Sequence, residues 1–95
     1  MVDVSNLKNQ ISPTVFYSNE FQNARFISTG SNWVKVLSTC PFHQDKNPGS
    51  FHVNTQNGAF HCFACGEKGD MIKFFMNKYN LGFKEAITKL KERYL

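Results

Sequence analysis

Two short chelating pairs eighteen residues apart, strand-like alternation around them, and two amphipathic stripes behind them predict the fold. They specify a small α+β domain stabilised by a metal: a zinc ribbon of antiparallel β-hairpins flanked by helices. The pairs are Cys40-Pro41-Phe42-His43 and Cys62-Phe63-Ala64-Cys65. A gap of two residues lets both side chains of a pair reach one ion from a tight turn. Four N/S donors suit tetrahedral Zn²⁺ with no open position, so Cys40, His43, Cys62 and Cys65 are the expected ligands of one structural zinc. His52 and His61 compete for the imidazole place. Neither has a cysteine at knuckle spacing, and His61 is adjacent to Cys62, so on a strand the two side chains point to opposite faces. A Cys62/Cys65 redox pair and inert thiols are the alternatives. The second chelating pair argues against redox chemistry, and an odd number of cysteines argues against a disulfide framework.

In chain order, residues 1–11 are polar with a few apolar positions, and the expectation there is an irregular segment. Ser12-Pro13 is a helix-start pair, with Ser12 as N-cap and Pro13 in the first turn. Val15, Phe16 and Phe21 would line the buried side of a short helix over about 13–21. Residues 25–27 read as extended, 28–32 as a turn cluster, and Trp33 to Leu37 as a strand, which together make a hairpin. Pro48-Gly49 breaks the chain. A second hairpin joins residues 50–54 to 59–62 through Thr55-Gln56-Asn57-Gly58, where Asn-Gly is a strong turn signal. Asp70 caps a helix whose stripe is Ile72, Phe75, Met76 and Tyr79. After Asn80-Leu81-Gly82, Phe83, Ala86, Ile87, Leu90 and Tyr94 form a second stripe. The division is thus residues 1–11, then one domain over 12–95. Its ribbon lies at about 33–66, and its closing helices at about 70–80 and 83–94.

At 95 residues the chain is one domain with a modest core, for which a metal staple is a common supplement. Ten phenylalanines supply large apolar plates. A net charge of +4 and a pI near 9.1 allow a polyanionic partner without demanding one. No apolar run approaches membrane-spanning length and no leader pattern opens the chain, so the expectation is a reducing cytoplasm and no membrane partner.

Several short motifs together are similar to one family. Cys40-Pro41-Phe42-His43 is followed by Asp45-Lys46, Pro48, Ser50-Phe51 and Val53. Phe60-His61-Cys62-Phe63, Cys65-Gly66, Gly69-Asp70, Ile72 and Phe74 continue the pattern. With Phe83-Lys84-Glu85-Ala86 behind them, these resemble the zinc-binding domain of DnaG-type DNA primases. The resemblance covers about residues 12–94. Phe16-Tyr17 also resembles a pair that opens small phage and plasmid relatives. The family usually runs Pro-Ser-Phe where this chain has Gly49 between Pro48 and Ser50, so a bulge before the strand is expected. Primases of the family carry a catalytic domain downstream, which these 95 residues do not include.

The resemblance implies binding of a single-stranded DNA template during primer synthesis in DNA replication. A sheet face with basic and aromatic residues can stack bases and contact phosphates. Its candidates are Lys35, Lys46, His52, Phe60, His61 and Lys68, with Lys73 and Arg25 behind them. Phe60 has a competing place in the core, and lysines beside the knuckles can serve only to balance thiolate charge. Paired carboxylates at useful spacing are lacking, and four protein ligands leave zinc no place for water, so no catalytic site is read. Expected partners are single-stranded DNA and, within a replication assembly, a primase catalytic domain, a helicase or a polymerase. The alternative function is a zinc ribbon that docks onto a replication or transcription protein through its Phe-rich helices. A redox or metal sensor is the third reading.

Overall fold

A computed structural model describes residues 4–38, 40–42 and 49–95, with the side chains of 4–6 left aside. Among the described residues four helices and five strands follow one another: α1 (Val4–Gln10), α2 (Pro13–Glu20), β1 (Arg25–Ser28), β2 (Trp33–Leu37), β3 (Phe51–Asn54), β4 (Phe60–Cys62), β5 (Lys68–Gly69), α3 (Met71–Tyr79) and α4 (Phe83–Tyr94). The strands form one antiparallel meander in the order β1-β2-β3-β4-β5. Among the described residues no helix is long and apolar enough to cross a membrane.

The segment expected to be irregular is helical. Residues 4–10 form α1, and Leu7 and Ile11 enter the core. About two turns with two apolar anchors are too short for periodicity to signal; tertiary burial stabilises the helix. α2 starts as its residues predict. Ser12 is extended, its Oγ accepts the Val15 N–H at 3.4 Å, and Pro13 occupies the first turn. Its buried side differs from expectation. Phe16 and Phe21 are buried, but Val15 is 54% exposed and Tyr17 takes the core position. Tyr17 reaches it because its hydroxyl donates to the Gly58 carbonyl at 2.7 Å, and the low-dielectric site pushes its pKa well above the ordinary value.

The second hairpin turns through Asn54, whose Oδ1 accepts the amides of Gln56 and Asn57 at 2.9 and 3.0 Å. Gly58 closes it at φ 81°, and a Cβ there would lie 2.8 Å from Met71 Cε. Gly49 sits at φ 109°, and β2 pairs with β3 without interruption from Trp33↔Asn54 to Val36↔Phe51. The extra residue is therefore absorbed ahead of β3, and the register of 51–54 is regular. β5 was not legible in the sequence: two residues, Lys68 and Gly69, pair with His61 and Phe60.

α3 is capped by Asp70, whose Oδ1 accepts the Lys73 amide at 2.8 Å. Burial pushes the Asp70 carboxyl up, but the Lys8 ammonium at 2.7 Å and the capping amides outweigh it, so its pKa falls below the usual value. Asn80 ends the helix in the left-handed region. Its buried arc includes Met71 and Phe74 beside the expected Ile72 and Phe75, while Tyr79 is half exposed. Phe74 is the centre of the core. Its ring lies 5.3–5.8 Å from those of Phe16, Tyr17, Phe21, Phe42, Phe51 and Phe60. On α4, Ala86, Ile87 and Leu90 are buried as expected, and Phe83 at the first turn is exposed.

Glu20, at the end of α2, ties three helices together. Its side chain is 1% exposed and accepts from Lys78 Nζ at 3.0 Å, Tyr79 OH at 2.7 Å, Tyr94 OH at 2.6 Å and Arg93 at 3.2 Å. Burial alone would raise its pKa, but the two phenols and Lys78 reverse the direction, and the carboxyl stays below its ordinary range.

Candidate functional site

The chain reaches Cys40 just beyond β2, Cys62 at the end of β4, and Cys65 three residues later. No disulfide joins them, and their three sulfurs all lie within 4.8 Å of one another. Cys40 Sγ and Cys65 Sγ are 3.9 Å apart. A disulfide needs about 2.05 Å. Two thiolates on one tetrahedral zinc, each at about 2.3 Å, stand roughly 3.8 Å apart. The sulfurs are therefore spaced for a shared ion. His43, the expected fourth ligand, lies outside the described residues. His52 and His61 are not in this cluster: His61 faces away from it, as alternation along β4 requires.

Local backbone builds the second knuckle. The Cys62 amide donates to the Glu67 carbonyl, and the Gly66 amide donates to the Cys62 carbonyl, each at 2.8 Å. This fold-back aims the amides of Cys65 and Ala64 at the Cys62 sulfur. Burial pushes the Cys62 thiol up, but those amides and the neighbouring thiols outweigh it, and its pKa falls. Cys40 goes the other way: burial first, then the adjacent thiols, push it up to about 12. Thiolates this close repel one another, and a bound cation would compensate that charge. Three clustered sulfur donors suit a structural zinc.

The strands that carry the cysteines inward carry a second set outward. Val34, Val36, Phe51, Val53, Phe60 and Cys62 share the inner face. On the outer face Lys35 is opposite His52, His52 opposite His61, and His61 opposite Lys68. Four of the six expected contact residues thus stand in one row across four strands. Phe63 caps the row. Its ring lies 4.2 Å from His61 at 31° and 4.8 Å from His52, edge-on, and the residue is 64% exposed. Trp33, His52, His61 and Phe63 line a cleft of about 240 Å³. His52 Nδ1 lies 3.3 Å from the Ser50 carbonyl; a carbonyl only accepts, so in this hydrogen bond Nδ1 carries the proton. The Lys35 stem lies beside Gly49, since a Cβ there would be 3.6 Å from its Cδ.

Phe60 is the correction. It is 1% exposed and stacks on Phe51 at 5.6 Å and 9°, so it packs the core and cannot face a ligand. The same alternation that sends His61 out sends Phe60 in. Lys46 lies outside the described residues. Arg25 is exposed on β1, opposite Leu37, and Lys73 is exposed on α3 beside Glu67 at 4.0 Å. Trp33 and Phe63 were missed as site residues. Counting by twos from Lys35 reaches Trp33 on β2, and from His61 it reaches Phe63 one residue beyond β4; that was the available signal.

Residues 5–95 match the CHC2 zinc finger family. The DNA primase of Lactococcus lactis is 37% identical over 87 residues, covering 92% of this chain and 13% of that protein. That of Campylobacter jejuni is 48% identical over 61 residues, covering 64% of this chain and 9% of that protein. A crystal structure of the Aquifex aeolicus primase, comprising zinc-binding and RNA polymerase domains, superposes with a TM-score of 0.76 at 31% identity, over 99% of this chain and 22% of that one. The chain thus spans about an eighth or less of those two curated relatives.

Proposed function

Because the chain belongs to the CHC2 zinc finger family, we propose that it is the template-binding module of a DNA primase, holding single-stranded DNA on its outer sheet face during primer synthesis. The observation that carries this reading is the row Lys35–His52–His61–Lys68 with Phe63 and Trp33 beside it. Lysines at its two ends suit phosphates, and exposed rings between them suit unstacked bases. In this reading Cys40, Cys62 and Cys65 hold the zinc with His43 as fourth ligand, in the order that CHC2 spells. The ion does no chemistry on the substrate: it fixes the β4 end and the knuckle that presents Phe63. Catalysis and any helicase or polymerase contact belong to the rest of a primase. Lys46, Arg25 and Lys73 remain secondary candidates for phosphate contacts.

The test is fluorescence anisotropy of a labelled single-stranded oligonucleotide with the zinc-loaded chain at several salt concentrations. Binding should weaken with salt, with a log–log slope of roughly −0.7 for each phosphate neutralised. No binding at low ionic strength sinks the reading. The competing reading, a ribbon that docks onto a replication protein, is favoured by the exposed Phe83, Tyr79 and Leu95. It would show as tight capture of a protein partner with oligonucleotide binding absent.

A further inference from the structure

The opposite end of the sheet is unfinished. β1 pairs with β2 on one side, and among the described residues no strand pairs with its other edge. All four of its residues are exposed, including Phe26 and Ile27. α2 packs toward the middle of the sheet through Phe21 on Phe51 and Tyr17 on Gly58. It stands off from β1 and β2. Between them lies a cleft of about 300 Å³, whose floor is Phe26, Val34 and Val53 and whose wall is Pro13, Tyr17 and neighbours on α2. Among the described residues, no charged side chain lines it.

We infer that this edge is a docking site for an extended peptide of alternating apolar and acidic residues, which adds a sixth strand beside β1. Three features select that occupant. The free main-chain edge calls for an extended backbone, because only a strand pairs its own N–H and C=O groups with a row of unpaired ones. Successive side chains of an added strand alternate between faces, so every second one would stand over the cleft next to Phe26, where an uncharged side chain fits. The others would stand on the outer face, where by register β1 and β2 present Arg25, Ile27 and Lys35, two cations flanking one apolar side chain, and no carboxylate. A residue directly opposite Arg25 on a neighbouring strand is within reach of a charge pair. β1 also lacks the proline or inward charge that natural sheets use to keep strangers off an edge. The cleft and the β1 edge lie outside the proposed template row on β2–β5, although Arg25 and Lys35 are shared with the template-binding candidates.

The experiment uses the zinc-loaded chain, isotope-labelled for NMR, titrated with a capped synthetic peptide Glu-Val-Glu-Phe-Glu-Val-Glu. The expected result is saturable binding with shift changes concentrated on residues 25–28 and on Thr14, Tyr17 and Ser18. A peptide of the same composition with its apolar residues grouped together should bind at least about fivefold more weakly, since it cannot split its faces. Arg25→Glu should weaken the alternating peptide by a similar factor, because one edge charge is lost. Phe26→Ser, at an exposed position, keeps the fold and should weaken binding as well. Three outcomes overturn the inference: no saturable binding, equal binding of the grouped peptide, or shift changes confined to the Lys35–Lys68 row, which would mean charge attraction alone. A concentration-dependent dimer held through β1 would overturn it too, by making a second copy the occupant.

Discussion

The two faces of β3 and β4 are built from the same seven residues and have opposite fates. Inward, Phe51, Val53, Phe60 and Cys62 are sealed against Phe74 and the helices. Outward, His52 and His61 stand beside Phe63 and between two lysines. One peptide step separates Phe60 from His61 and His61 from Cys62. The difference teaches that the metal, the core and the proposed interface are not three regions but one strand pair seen from two sides. Zinc at the inner end would help to hold the register on which the outer row depends.

Changes on the inner face should therefore disturb everything, and changes on the outer face should touch binding alone. The largest effect is expected for Cys62→Ala. It should lose stoichiometric zinc and cooperative folding together, read by elemental analysis and circular dichroism, because ion binding and folding are one equilibrium in so small a domain. A folded monomer without metal would break the link between the faces. Next comes Phe74→Ala, which removes the ring that touches six others. It should cost about 3–5 kcal/mol in denaturant unfolding of the zinc-loaded chain. A loss under about 1 kcal/mol would mean that the metal alone carries the inner face.

Glu20→Gln tests a buried polar tie away from both faces, and a loss of about 1–3 kcal/mol is expected. Its pH dependence has a definite sign. The folded carboxyl has a lowered pKa, so its contribution is fully present above the ordinary glutamate value and fades as pH falls through the folded one. The wild-type chain should lose stability across that acid window, and Glu20→Gln should lose less; parallel losses would mean that the four donors do not depend on the charge. The smallest stability change belongs to Lys35→Glu combined with Lys68→Glu, within about 0.5 kcal/mol. The same pair should lower oligonucleotide affinity and flatten its salt slope by roughly 1.4, about 0.7 for each lost phosphate contact. Unchanged affinity would move the template away from this face.

Where a local rule has a residue to act on, the sequence was enough. Ser12 and Asp70 cap their helices, Asn57-Gly58 turns its hairpin, and the cysteines stand at knuckle spacing. Strand alternation alone predicted that His61 and Cys62 part company, and both hairpins follow. What tertiary structure decided is each choice between equivalent apolar candidates and each element too short to show a period. Tyr17 displaced Val15 because a carbonyl on a distant hairpin could take its hydroxyl. Phe74 became the hub because α3 meets the sheet over a wide arc, and α1 and β5 exist because neighbours bury or pair them. Local signals fix what a few consecutive bonds can fix; burial and cross-strand pairing are set by residues that meet only after the chain has folded.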